Sequence, residues 1–538
     1  MSEVDTMNSL DWTVICVYLG GMILLSVYLG RGQTEEADYY LGGRNLPWWA
    51  VGMSTMATQT SAISFISVPA FVALREGGGL TWLQYELAVP LAIIFVMIFL
   101  IPFFRRLKLI SVYEYLERRY GPGTRSLLAG VFLLSRGLAS GVGVYAAAIV
   151  LAVCLQTEVW MMILVIGIIT LIYDTIGGMK AVVYSDVIQM VILVGGIVLC
   201  TGYALKEIGG WGNVLAAYDP ARFTVFDFSS GLGDGGRFPM WGFLIGGFFL
   251  YASYYGCDQS QVQRELSAPT AEHTKLSLMF NGFARMPLTL GYAFLGLAVG
   301  AVFVMRPEAM ALIPEGNPDF MMPTFVLAYM PHGIKALIFA AILAASMSSL
   351  DSALNSLSAS TMRDFVERFV PPKDTQHRVR LGKLMTVVWG GLIIVFAFLL
   401  GGEDTVIERI NKVGSAFYGP ILAAFVTGVT IRRVQGKGMV IGILAGVGFN
   451  LVLWVGFEGV FWMWWNLTGC FVAVLVAVGI SFIQSEKVPD SGSDPLVLWD
   501  TDMWKQERPW LPVYCCLVVF FMAMVVFCAF LPGLLASG

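Results

Sequence analysis

Residues 52–69 read GMSTMATQTSAISFISVP, a stretch that sets Ser54, Thr55, Thr58, Gln59, Thr60, Ser61, Ser64 and Ser67 inside an otherwise apolar run at 47–73. A lipid-facing helix tolerates that density poorly, because hydrocarbon offers polar groups no partner. Two arrangements resolve the cost. In one, the hydroxyls bond back to their own helix carbonyls and pack against neighbouring helices. In the other, the helix is broken, lines a cavity, and turns freed carbonyls and hydroxyls towards a cation near the membrane midplane.

Both arrangements require a membrane around the stretch, and the rest of the chain supplies one. Of 538 residues, 57% are hydrophobic and 13% charged, with a mean hydropathy of +0.74, whereas soluble domains carry roughly 25% charged residues. Apolar runs of the ~20 residues needed to cross a bilayer recur throughout. They fall near 9–30, 47–73, 79–104, 121–155, 158–177, 182–207 and 236–257, then near 273–305, 322–357, 381–402, 406–431, 437–457, 460–484 and 510–535. The fold class expected is an all-α polytopic membrane protein of about 14 transmembrane helices.

An even count puts both termini on one side. Arg105, Arg106, Lys108, Arg118, Arg119 and Arg125 follow the third span, and Arg363, Arg368, Lys373, Arg378, Arg380 and Lys383 follow the ninth. The positive-inside rule assigns both loops to the cytoplasm and both termini to the outside. The acidic start MSEVDTMNSLDW lacks the basic region and cleavage site of a secretory signal, so the first span is expected to be retained. Polar residues 485–509 read as a cytoplasmic linker to the last helix.

Composition also excludes. A net charge of −4 with no basic stripe gives no support to nucleic-acid binding. The eight cysteines lie in or beside apolar spans without CxxC spacing and read as small buried hydrophobes. His273, His332 and His377 are scattered in loops, which argues against a histidine metal site. No obligate protein partner is evident.

Further polar features stand out. In AAILAASMSSLDSALNSLSAS, residues 340–360, Ser348, Asp351, Ser352 and Asn355 share one helical stripe. A carboxylate inside a membrane is a functional candidate, and a packing or gating hydrogen bond is the plain alternative for Asp351. In GGMKAVVYSDVIQMVIL, residues 177–193, a Gly-Gly turn and Lys180 open a span that holds Asp186. Tyr251, Tyr254 and Tyr255 precede an abrupt polar sequence from Asp258, as substrate wall, gate or interfacial aromatics. Arg136 lies about 22 Å along its helix from the cytoplasmic start and needs a partner, either a substrate carboxylate or a structural acid or carbonyl.

Taken in order, ATQTSAISFISVPA, SVYEYLERRYG at 111–121, GGMKAVVYSDVIQ, DQSQVQREL and SMSSLDSALNS resemble the solute:sodium symporter family along nearly the whole chain. That resemblance implies a LeuT-like core of two inverted five-helix repeats, at 47–207 and 236–431. One extra helix at 9–30 precedes them and three at 437–535 follow. It implies sodium as the coupling ion, held by backbone carbonyls of Ala57, Thr60 and Ala345 with hydroxyls of Ser348 and Ser349. Thr60 stands where relatives carry Leu, Ile or Met, which a carbonyl ligand tolerates. A second sodium site present in some members falls on Asp186, Ser348, Asp351 and Ser352, with Asp351 in place of the usual Ser or Thr. The substrate cavity of such proteins points to Gln59, Ser61, Ser64, Gln84, Tyr145, Tyr254 and Tyr418, and Arg136 is added as a candidate for an anionic group. The carboxylate-binding arginine of the sialic acid branch aligns near Ala139, not Arg136.

The expectation is therefore a sodium-coupled symporter of a bacterial inner membrane that imports a small polar solute: an organic anion such as a monocarboxylate, a sugar or a similar nutrient. A proton-coupled carrier of the same fold, using Asp186 or Asp351, and a transporter-like solute sensor are the alternatives. An enzyme is not expected, because no nucleophile, metal cluster or acid–base pair is evident.

Overall fold

The computed structural model describes residues 7–233, 238–314, 316–369, 372–399, 406–457, 459–483 and 501–536, and helices dominate them. Most of the expected linker at 485–509 lies outside the described residues. Helix α1 (Ser9–Leu29) is followed by a bent pair, α2 (Trp48–Gln59) and α3 (Ala62–Ala73). Then come α4 (Ala88–Phe99), α5 (Pro122–Leu155) and α6 (Val159–Ile208). A second interrupted pair, α7 (Gly247–Cys257) and α8 (Gln259–Glu265), leads into α9 (Ala271–Val304). Helices α10 (Ile334–Ser360), α11 (Thr375–Leu399), α12 (Val406–Thr430), α13 (Gly436–Gly456), α14 (Trp464–Ile483) and α15 (Leu511–Ala536) complete the chain.

Among the described residues, ten helices are long and apolar enough to cross a membrane, or eleven with the α2–α3 pair as one span. The expected fourteen is not reached on that count, for three physical reasons. Helix α6 runs for 50 residues, about 75 Å at ~1.5 Å per residue, far more than a ~30 Å hydrocarbon core needs. Gly178 (φ 55°, ψ −158°) breaks it between the two spans expected at 158–177 and 182–207. Helix α7 is short because a π-turn at Gly242–Gly246 precedes it, and the apolar part of α12 is confined to Gly414–Thr430. The run expected at 322–357 also divides, into a short helix at Met321–Tyr329 and α10, across Met330–Gly333.

At Gly178 a side chain cannot be added without rearrangement. A Cβ there would lie 2.7 Å from both the ring and the carbonyl of Tyr39, and the positive φ is itself a conformation that glycine adopts freely. At the far end of the chain, α13 meets α14 through Gly438, Gly442 and Gly446, whose Cα atoms face the backbone at Ala477, Ala473 and Gly469. Small residues one turn apart let two helices approach closely where water-driven burial is absent.

The most deeply buried long helix is α10, which packs against α5, α6 and α1 and touches both arms of the bent pair. The two basic loops meet at one end of the molecule: Arg125 pairs with Asp364 at 2.7 Å, and Arg368 donates to Ser126 at 2.9 Å. Cys154, Cys200, Cys257, Cys470 and Cys528 are buried as expected, but Cys16, Cys515 and Cys516 lie on exposed faces, because α1 and α15 are peripheral helices with few neighbours.

Candidate sodium and substrate site

The polar stretch that opened the sequence is a broken helix. Its arms, α2 and α3, are bent by 58° across Thr60 and Ser61, which take non-helical conformations (φ −103°, ψ 77° and φ −80°, ψ 171°). Thr and Ser favour such positions, since their hydroxyls compete for backbone groups that a helix would otherwise use. The Thr60 amide donates to the Ala57 carbonyl at 2.9 Å and the Thr60 hydroxyl to the Met56 carbonyl at 2.8 Å. A second break at Asp258, in extended conformation between α7 and α8, falls where the tyrosine-rich run turns polar; the Asp258 side chain accepts from the Ser260 amide at 2.8 Å.

Helix α10 lies directly against the first break. The Ser349 hydroxyl donates to the Thr58 carbonyl at 3.4 Å, and the hydroxyls of Thr58 and Ser352 lie 3.0 Å apart. The five residues expected to hold sodium therefore stand on two elements in contact: Ala57 and Thr60 at the break, Ala345, Ser348 and Ser349 on α10. All but Ser349 are buried, and Ser349 faces a cavity.

Deeper between the helices, Asp186 accepts from Ser54 and Ser348, each at 2.5 Å. The Asp351 carboxylate accepts from the Tyr173 hydroxyl at 2.5 Å and lies 3.2 Å from the Ser352 hydroxyl. Thus Asp186, Ser348, Asp351 and Ser352, expected as a second sodium site, are linked by hydrogen bonds. Among them sits a residue to which the sequence reading gave no role. The Arg264 guanidinium donates to Ser54 at 2.9 Å and to Ser352, and stands 3.7 Å from Asp186. A buried carboxylate needs compensation, and here a protein cation supplies part of it. Arg264 lies in DQSQVQREL, so its motif was visible while its reach into this cluster was not.

A cavity of about 220 Å³ adjoins the break. Of the residues expected to face substrate, Gln59, Ser61, Ser64, Arg136, Tyr254 and Tyr418 line it, and Gln84 and Tyr145 do not. Gln84 is instead fully buried, donating to the carbonyls of Thr81 and Phe238 at 3.0 Å each and accepting from the Asp227 amide. Two residues further on, about 200° around a helix, Glu86 faces the cavity in its place. On α5 the lining positions Arg136, Ala139, Ser140, Gly143 and Val144 form one stripe. Tyr145 falls off that stripe and packs half-buried against the core. Because Arg136 and Ala139 share the stripe, a cation at 136 reaches the same cavity as one at 139. A smaller cavity of about 60 Å³ continues past Arg136 and Tyr418 to Asp258.

The sequence reading also missed Arg285, near the middle of α9. Its Nε lies 3.1 Å from Glu86 and its Nη1 donates to the Thr60 hydroxyl at 3.2 Å. Glu86 further accepts from Tyr251 at 3.1 Å, and Tyr255 donates to Gln59 at 2.9 Å. The signal was present: an arginine inside FNGFARMPLTLGYAFLGLAVG is as anomalous in a span as Arg136. Ser349, one of the residues expected to hold sodium, lines this cavity too, beside Thr58.

Comparison with known proteins gives the family. The profile of the sodium:solute symporter family matches residues 39–446. The sodium/sialic acid symporter NanT of Aliivibrio fischeri is 31% identical over 459 residues, covering 84% of this chain and 89% of that protein. The human sodium/iodide cotransporter is 30% identical over 465 residues, covering 84% and 70%. A substrate-bound, outward-open structure of a sodium-coupled sialic acid symporter superposes with a TM-score of 0.80 at 26% identity, covering 89% of this chain and 99% of that one. Mhp1, a nucleobase-cation-symport-1 family transporter, shares the fold at a TM-score of 0.52 and 12% identity. These relatives are transporters, not enzymes, and sodium binding comes with the family. The chain is an integral membrane protein of LeuT-like fold and belongs to the sodium:solute symporter family.

Proposed function

We propose that the protein imports a small organic anion together with sodium by alternating access. The observation that carries this reading is the charge of the cavity beside the broken helix: two guanidiniums, Arg136 and Arg285, line it against a single carboxylate, Glu86. The names of the relatives point the same way, since sialic acid, iodide and monocarboxylates are all anions.

Sodium occupies the carbonyls of Ala57, Thr60 and Ala345 and the hydroxyls of Ser348 and Ser349. A hard cation takes oxygen ligands, and a site of neutral oxygens holds a monovalent ion weakly enough to release it. Bound there, sodium ties the broken helix to α10; its loss on the inner side lets the two part. Ion and anion are coupled because each stabilises the same conformation, and a ligand with equal affinity for both states shifts nothing. Asp186, Asp351 and Ser352 form the second cation position, which shares its charge compensation with Arg264. The repeats run over 47–207 and 236–431, the membrane is a bacterial inner membrane with both termini outside, and the potential supplies about 2.3 kcal/mol per charge per 100 mV.

A thermal-shift screen of the purified protein across organic acids, amino acids and sugars, with and without sodium, tests the substrate class. Organic acids are expected to raise the melting temperature only when sodium is present. A response confined to sugars overturns the assignment.

A further inference from the structure

Arg285 is a half-buried arginine with only part of its donor set used. Its guanidinium carries five N–H donors in a rigid fork. Nε is taken by Glu86 and one Nη1 donor by the Thr60 hydroxyl. The remaining nitrogen, Nη2, has no hydrogen-bond partner among the described residues and, unlike the Nε of Arg136, is not sealed from the cavity. Glu86, itself held by the Tyr251 hydroxyl, fixes the Nε edge of the fork. A planar donor set, fixed on one side and free on the side facing a cavity, is the arrangement that receives a carboxylate.

The other contact of the same guanidinium leads to the ion. Thr60 is the residue at which the helix breaks, and its hydroxyl is held between Arg285 and the Met56 carbonyl. Any adjustment of Arg285 is transmitted to the backbone that offers its carbonyl to sodium. Charge favours the same linkage. Glu86 already pairs with Arg285 and Arg136 stands at the far end of the cavity, so a carboxylate arriving at Arg285 adds a negative charge beside Glu86 that Arg285 alone does not balance. A sodium ion at the break supplies the missing positive one, and the two are more stable together than apart.

We propose that Arg285 is the residue that receives the substrate's carboxylate and that, through Thr60, it links anion binding to the sodium site, with Glu86 setting how tightly the anion is held. The proposal rests on the organic-anion reading above. Arg136 then serves the far end of the cavity, beside Asp258 and Tyr418.

The test is sodium-22 binding to the purified full-length protein, with pyruvate, benzoate and N-acetylneuraminate as probes and methyl pyruvate as the uncharged control. In the wild type at least one carboxylate is expected to lower the half-saturating sodium concentration. The Arg285→Gln/Glu86→Gln double variant, which leaves no unpaired acid, is expected to lose that shift and to weaken carboxylate binding by about tenfold or more. Glu86→Gln alone keeps the fork and removes a like charge beside the anion, and is expected to tighten carboxylate binding by about tenfold. A purely structural ion pair has no reason to produce that gain, so weaker binding in Glu86→Gln contradicts the proposal even if the double variant fails to fold. A sodium shift that survives in the double variant but vanishes in Arg136→Gln overturns the role of Arg285 and leaves the organic-anion reading standing. No carboxylate effect in the wild type overturns both.

Discussion

Ser348 and Ser349 are neighbours on one helix with different surroundings. Ser348 is buried and spends its hydroxyl proton on Asp186 at 2.5 Å, while Ser349 lies on the cavity wall and reaches the Thr58 carbonyl at 3.4 Å. Each hydroxyl keeps lone pairs for a cation while donating its proton elsewhere. Replacement of Ser349 by Ala removes one of the proposed sodium ligands and leaves no buried acceptor stranded, so the half-saturating sodium concentration for uptake is expected to rise about tenfold with the fold intact. Ser348→Ala is expected to do the same and also to lower the melting temperature, because Asp186 loses a donor. The polar residues of α10 were legible in the sequence because hydroxyls and an acid are conspicuous in an apolar run. Arg285 was as conspicuous in its span and was passed over, whereas Glu86 and its partnership with Arg285 were not legible, for separate reasons. Glu86 stands at the edge of a run, where charge is ordinary, and the partnership of Glu86 with Arg285 joins positions 199 residues apart that only the fold brings together. Gln84, a candidate from the family resemblance, is buried off the cavity, and Glu86, about 200° further round the helix, faces it instead.

At the scale of the element, the breaks matter more than the helices. The first was legible as one of two alternatives, and the bend of 58° at Thr60–Ser61 decides between them. The second was marked by the abrupt polarity at Asp258. The third, at Gly178, was read as a Gly-Gly turn between spans, and its positive φ bears that out. The helix count was the least legible feature, since length and apolarity do not separate spans joined without a loop. Gly178→Ala forces a Cβ into the Tyr39 contact and an unfavourable backbone angle, and is expected to cost about 1–3 kcal/mol, read as a lower melting temperature in detergent. Unchanged melting would mean that the two arms of α6 are not held by this turn.

At the scale of the whole molecule, the two basic loops converge on acids at one end. Arg125 joins Asp364 at 2.7 Å and also bonds Glu117, and Arg363 and Arg378 reach Glu36 at 3.3 Å each. The Arg125–Asp364 pair ties the start of α5 to the segment that follows α10. The loops were legible as a same-side pair from charge alone, but their acidic partners were not, being spread over three segments. Asp364 is fully buried, so Arg125→Gln is expected to destabilise the protein by about 3–5 kcal/mol, and Asp364→Asn added to it should recover part of the loss in a melting experiment. A single variant that melts like the wild type would show that this end is not a structural clamp.

The central claim is that sodium at the broken helix drives an anion inwards. Its most direct test is uptake of the carboxylate identified by thermal shift into proteoliposomes at equal pH on both sides, with an inward sodium gradient imposed or withheld. Uptake is expected only with the gradient, faster with the interior negative when sodium charge exceeds anion charge, and displaced to higher sodium in Ser349→Ala. Uptake that proceeds without sodium and follows an imposed pH gradient would contradict the account.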